Sequence, residues 1–145
     1  MSFHEKSLWL LFISLIAVFG SYYYFALLVE PGGNGRAVPV NAALIVGLIV
    51  ILVIVQVLGN ALLALAGKLA GTTDGPQGLD ERDRMHELLG ARNGSLVLAA
   101  GIFFALCAAL LTSGDSLFVH LLLGSWVLAQ LVDTGTQIFL NRRSA

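Results

Sequence analysis

Residues 40–65 read VNAALIVGLIVILVIVQVLGNALLAL. The stretch holds no charge and is rich in Val, Ile and Leu. A bilayer core takes about 20 consecutive apolar helical residues, so a run of this length reads as a transmembrane helix. Two of its polar side chains, Gln56 and Asn60, stand one helical turn apart on one face. The rest of the chain follows the same pattern. Further apolar runs occupy residues 7–29, 94–112 and 116–140. The fold class is therefore all-α, an integral membrane four-helix bundle, with residues 1–145 forming one transmembrane domain.

Composition agrees. The 145 residues are 57% hydrophobic and 12% charged, whereas soluble domains carry roughly 25% charged residues. A net charge of −1 and the lack of a basic patch with interleaved aromatics argue against nucleic acid as a partner. The single cysteine, Cys107, makes neither an internal disulfide nor a cysteine metal site. The first run, SLWLLFISLIAVFGSYYYFALL after Lys6, is too long for a signal-peptide body and ends without a small-residue cleavage site, so it is expected to be retained.

Charge sets the orientation. Lys6 precedes the first span, Lys68, Arg82, Arg84 and Arg92 lie between the second and third, and Arg142 and Arg143 follow the fourth. The opposite side holds only Arg36. The positive-inside rule places both termini and the middle loop in the cytoplasm of what reads as a prokaryotic inner-membrane, multi-pass protein. EPGGNGRAVP (30–39) is a turn-rich loop, and AGTTDGPQGLDERD (70–83) is a longer polar linker. TSGDS (112–116) is short enough to make the third and fourth helices an antiparallel hairpin. Trp9 near one end of the first span and Tyr22, Tyr23 and Tyr24 near the other suit an interfacial aromatic belt.

A charged lead-in, residues 80–93, precedes the third span. Asp80 can cap a helix that runs unbroken to Thr112, with Gly90 and Gly94 as its weak points. Asp80, Asp83 and Glu87 share one face, with Arg84 beside them. That face is either a divalent-cation site or, more economically, a solvated and salt-bridged helix start that engages a partner in the cytoplasm. His86 has no second histidine at i+4, which weakens a metal reading. Gly90 and Gly94 form a small-xxx-small pair that lets helix backbones approach closely, either the third against the fourth, the simpler use, or the third against another protomer.

DERDRMHELLGARNG (80–94) leading into a span, followed by a second span ending LVDTGTQIFLNRR (131–143), resembles a family of small predicted four-span membrane proteins of bacteria and archaea with a DERD-like segment before the third helix. The resemblance covers residues 80–143. It implies the hairpin architecture and carries over no activity and no catalytic residue.

The chemistry-bearing residues lie at one depth. In QLVDTGTQIF (130–139), Gln130, Asp133, Thr134 and Gln137 recur at i, i+3, i+4 and i+7, one stripe of the fourth helix. Gln56 and Asn60 of the second helix, and Arg92 and Asn93 of the third, are expected at a similar level. An acidic residue at a span centre costs about 2.5–3.5 kcal/mol, so Asp133 should face the interior, with Arg92 as its expected ion-pair partner. Ser14 stands at mid-depth without polar company, and His120 near the other surface reads as an interfacial or hydrogen-bonded histidine rather than a haem ligand.

No Ser/His/Asp set, zinc-binding helix motif, phosphate loop or redox cysteine pair occurs, so neither catalytic residue nor metal nor cofactor is assigned. The polar layer serves as interhelical glue or as the wall of a pocket. The first reading makes the protein a non-catalytic structural, accessory or regulatory subunit that meets a protein partner or further copies of itself in the lipid bilayer. The second makes it an oligomeric transporter or channel. A third is a protein that binds a lipid or a quinone-like molecule between its helices.

Overall fold

The computed structural model describes residues 3–25, 41–69, 81–111 and 115–143. Four helices follow in order: α1 (Phe3–Tyr24), α2 (Ala42–Leu69), α3 (Glu81–Leu111) and α4 (Asp115–Arg143). All four are long and apolar enough to cross a membrane. The helix ends follow local chemistry. Asn41 caps α2, its Oδ1 accepting from the Leu44 amide at 3.1 Å. Glu81 and Asp83 meet the positive end of the α3 dipole, and Arg142 and Arg143 the negative end of α4.

The charged lead-in and the third span are one continuous helix. At 1.5 Å per residue α3 is about 47 Å long, more than the ~30 Å hydrocarbon thickness. Gly90 and Gly94 do not interrupt it. Both are buried, as is Ala105. A Cβ at residue 94 would lie 2.8 Å from the Ala129 carbonyl oxygen and 3.0 Å from the Asp133 Cβ, and one at residue 101 would strike Ser125. Small residues on α3 thus let its backbone close onto α4 along most of the hairpin, which is how helices pack where lipid removes the hydrophobic drive.

The helices are arranged in the spatial order α2, α1, α4, α3. Neighbours pack antiparallel: α1 on α2, α1 on α4, and α3 on α4. Among the described residues, α2 and α3 do not touch through their backbones. The core lies where α1 is held between its neighbours. Leu15, Phe19, Leu52 and Val127 are buried together, and the Phe19 and Trp126 rings meet edge to face at 5.8 Å. At one end Arg142 stacks over Trp9, its Cζ 5.2 Å from the ring centroid. At the other, Tyr22 and Tyr23 meet His120. The start of α1 and the end of α4 therefore lie together, with the end of α2 and the start of α3 beside them. That end is called the terminal end below, and the opposite one the hairpin end.

Candidate functional site

The polar side chains do not form one layer. They close in three joints, each within a pair of neighbouring helices.

The first joins α1 to α2. Gln56 donates its Nε2 amide to Ser14 Oγ at 2.6 Å, and Ser14 Oγ donates to the Leu11 carbonyl at 3.0 Å. Ser14 is buried, so the expectation that it lacks polar company is corrected. The reason is helix order: α2 packs on α1, not on α4, and an antiparallel pair places residue 56 opposite residue 14. One turn nearer the terminal end, Gly59 admits the Leu10 side chain. Beside it the Asn60 Oδ1 atom is buried without a hydrogen-bond partner among the described residues, as is Trp9 Nε1 on α1.

The second joins α3 to α4. Asp133 lies against Gly90, and any Cβ there would collide with its Oδ1. Gln137 donates to that oxygen at 2.9 Å from one turn further along α4. Arg92 is exposed and, among the described residues, forms no ion pair with Asp133. The proposed pair fails on helical geometry: Arg92 lies midway between Gly90 and Gly94, which face α4, so it points the other way. Asn93 donates to Thr136 Oγ1 at 3.4 Å, and Thr136 Oγ1 donates to the Val132 carbonyl at 2.7 Å. His86 Nδ1 pairs with Asn141 Oδ1. Thr134 is 2% exposed and Gln137 7%, while Gln130 is half-buried.

The third joins α1 to α4 at the hairpin end. His120 Nδ1 donates to the Ser116 carbonyl at 2.7 Å, leaving Nε2 to accept from the Tyr22 hydroxyl at 3.1 Å. The two rings stack 17° from parallel. Tyr23 donates to the His120 carbonyl at 2.7 Å. Read from sequence, these tyrosines belong to an aromatic belt. The joint needs the antiparallel pairing of α1 and α4, which the order of residues along the chain does not express.

Of the lead-in residues, Arg84 and Glu87 are exposed and Asp83 is half-buried, while Asp80 lies outside the described residues. Among the described residues no three His, Cys, Asp or Glu side chains gather as a metal site. Two open grooves flank α4 on opposite faces. One, of about 360 Å³, is apolar and bounded by Ile45 of α2, Leu98 of α3 and Trp126. The other, of about 580 Å³, runs between α3 and α4 toward the terminal end and is lined by Leu89, Asn93, Val132, Thr136 and Phe139 among others.

The fold is a small bundle of four helices, each long and apolar enough to cross a membrane. No family model matches the chain, and no curated protein or solved structure matches it significantly. The likeness of residues 80–143 to the small four-span family stays a resemblance.

Proposed function

We propose that this protein is a non-catalytic membrane subunit, structural or regulatory, that works by seating a partner's helix on its open side, with both ends of the chain in the cytoplasm. The observation that carries the reading is the gap between α2 and α3. Among the described residues α2 packs on α1 alone, and Val46, Val50, Val53 and Val57 are exposed along it. The Ile45–Leu98–Trp126 groove opens into that gap. Ser14, Gln56, Asp133 and Gln137 are meanwhile engaged within helix pairs, which suits a rigid scaffold. Lys6, Lys68, Arg82, Arg84, Arg92, Arg142 and Arg143 all gather toward the terminal end, which supports the cytoplasmic assignment.

The test is a photo-crosslinking amino acid placed in native membranes at Val53 or Leu98, with Ile13 of α1 as the comparison. The reading expects one discrete crosslinked protein from Val53 and Leu98 and none from Ile13. Adducts to lipid alone at all three positions would remove it. An extracytoplasmic signal from a reporter fused at the C-terminus would overturn the orientation.

A second reading, an oligomeric transporter or channel, draws on the buried and unpartnered Asn60 Oδ1 and Trp9 Nε1 atoms. Such atoms are costly in hydrocarbon, and water in a cavity would satisfy them. Asp133-dependent flux in proteoliposomes separates this reading from the first.

A further inference from the structure

The groove on the other face of α4 differs in kind from the one in the α2–α3 gap. Its floor is apolar, with Val132 and Phe139 on α4 and Leu89 on α3, and the Asn93–Thr136 hydrogen bond bridges its two walls. Phe139 is 61% exposed and Leu89 37%, so the floor is uncovered.

Both walls continue as helical stripes. On α4, Val132, Thr136, Phe139 and Arg143 recur at i, i+4, i+7 and i+11. On α3, Arg82, His86, Leu89 and Asn93 recur at the same spacing, running the opposite way. Because the helices are antiparallel, both stripes end in an arginine at the terminal end. At 1.5 Å per residue Arg143 lies about 10 Å beyond the Asn93–Thr136 bond, and Arg82 about 16 Å. Both arginines are exposed. Asp83 and Glu87 fall off the Arg82–Asn93 stripe. From the hairpin end toward the terminal end the groove thus presents Val132, the Asn93–Thr136 pair, the apolar Leu89 and Phe139, and then two positive charges.

We infer that this groove is a binding site for an anionic phospholipid. The acyl chains lie on Val132, Phe139 and Leu89. They pass over the Asn93–Thr136 hydrogen bond, and the phosphate lies between Arg82 and Arg143. The chemistry selects this occupant. A partner helix would match the apolar floor but not two arginines at one end, and a free anion would match the arginines but not the floor. Basic pockets between membrane helices take anionic headgroups for the same reason. The site lies on the opposite face of α4 from the partner-seating gap and does not depend on that reading.

The experiment is native mass spectrometry of the full chain released from nanodiscs of equimolar phosphatidylglycerol and phosphatidylcholine. The wild type is expected to retain phosphatidylglycerol as a discrete adduct in preference to phosphatidylcholine. Arg82→Gln with Arg143→Gln is expected to lower that retention roughly tenfold or more. Lys68→Gln with Arg84→Gln, which removes the same charge elsewhere, should leave it unchanged. Val132→Trp, which fills the floor with both arginines in place, should abolish the adduct. If that variant does not fold by circular dichroism, Phe139→Ser serves in its place and is expected to weaken retention. Equal loss in the two charge variants, retention that survives loss of Arg82 and Arg143, or no preference between the lipids would each overturn the assignment.

Discussion

Gln56 of α2 donates its side-chain amide to Ser14 Oγ of α1 across 2.6 Å, and this bond fixes the register of two helices that otherwise meet through aliphatic side chains. Side-chain hydrogen bonds between membrane helices average about 0.6 kcal/mol and reach about 1.7. Ser14→Ala is expected to cost in that range or slightly more, because it leaves the half-buried Gln56 amide without its acceptor. Ser14→Ala combined with Gln56→Leu should cost less than the sum of the single changes. Unfolding free energies in bicelles, arranged as a double-mutant cycle, check this. Additive costs would mean the two side chains do not interact.

The hairpin gives a sharper contrast. A methyl group on Gly94 would press on the Ala129 carbonyl oxygen, which is backbone and cannot swing aside, whereas one on Gly47 would meet nothing within 4 Å. Gly94→Ala is therefore expected to destabilise by about 1–3 kcal/mol, in the range of overpacked cores. Gly47→Ala should be neutral, or stabilising by up to ~1 kcal/mol through helix propensity. Thermal unfolding of the two variants in the same detergent decides it, and equal shifts would contradict the packing described.

At the hairpin end, His120 donates from Nδ1 to Ser116 and accepts at Nε2 from Tyr22. The neutral imidazole should therefore carry its proton on Nδ1. Nitrogen-15 chemical shifts of labelled His120 are expected to show that tautomer. Tyr22→Phe should move the Nε2 resonance and leave Nδ1 nearly unchanged. A proton found on Nε2 in the wild type would contradict the arrangement.

At the terminal end, Arg142 lies over the face of Trp9. Arg142→Gln is expected to cost about 0.5–1 kcal/mol and to change the emission of Trp9, measured in a Trp126→Phe background. Unaltered emission would place the guanidinium elsewhere.

Much of this fold was legible in the sequence, because hydropathy acts locally. Runs placed at 7–29, 40–65, 94–112 and 116–140 correspond to helices at Phe3–Tyr24, Ala42–Leu69, Glu81–Leu111 and Asp115–Arg143. The remaining part of the first run, 26–29, lies outside the described residues. The short 112–116 connection implied the α3–α4 hairpin, and glycine spacing showed a close approach there. What stayed hidden was which helices are neighbours beyond the hairpin. Depth read from sequence groups residues 56, 60, 92 and 133 and sets Ser14 apart. Pairing also needs the helix order, and the order α2, α1, α4, α3 sends Gln56 to Ser14 and leaves Arg92 on the far side of α3 from Asp133. The Tyr22–His120 joint was missed for the same reason. Its sequence signal was present, in a tyrosine cluster late in one span and a histidine early in another.

The central claim is that the polar groups of this bundle are structural joints, with Asp133 held by Gln137 in the space Gly90 leaves. Asp133→Asn preserves an oxygen for the Gln137 amide and removes the charge. The most direct test is flux of protons, monovalent cations and small solutes into proteoliposomes of the wild type and of Asp133→Asn, with folding checked by circular dichroism. No flux above empty vesicles is expected from either protein, and the variant is expected to fold as the wild type does. Flux through the wild type that disappears in a correctly folded Asp133→Asn would contradict it.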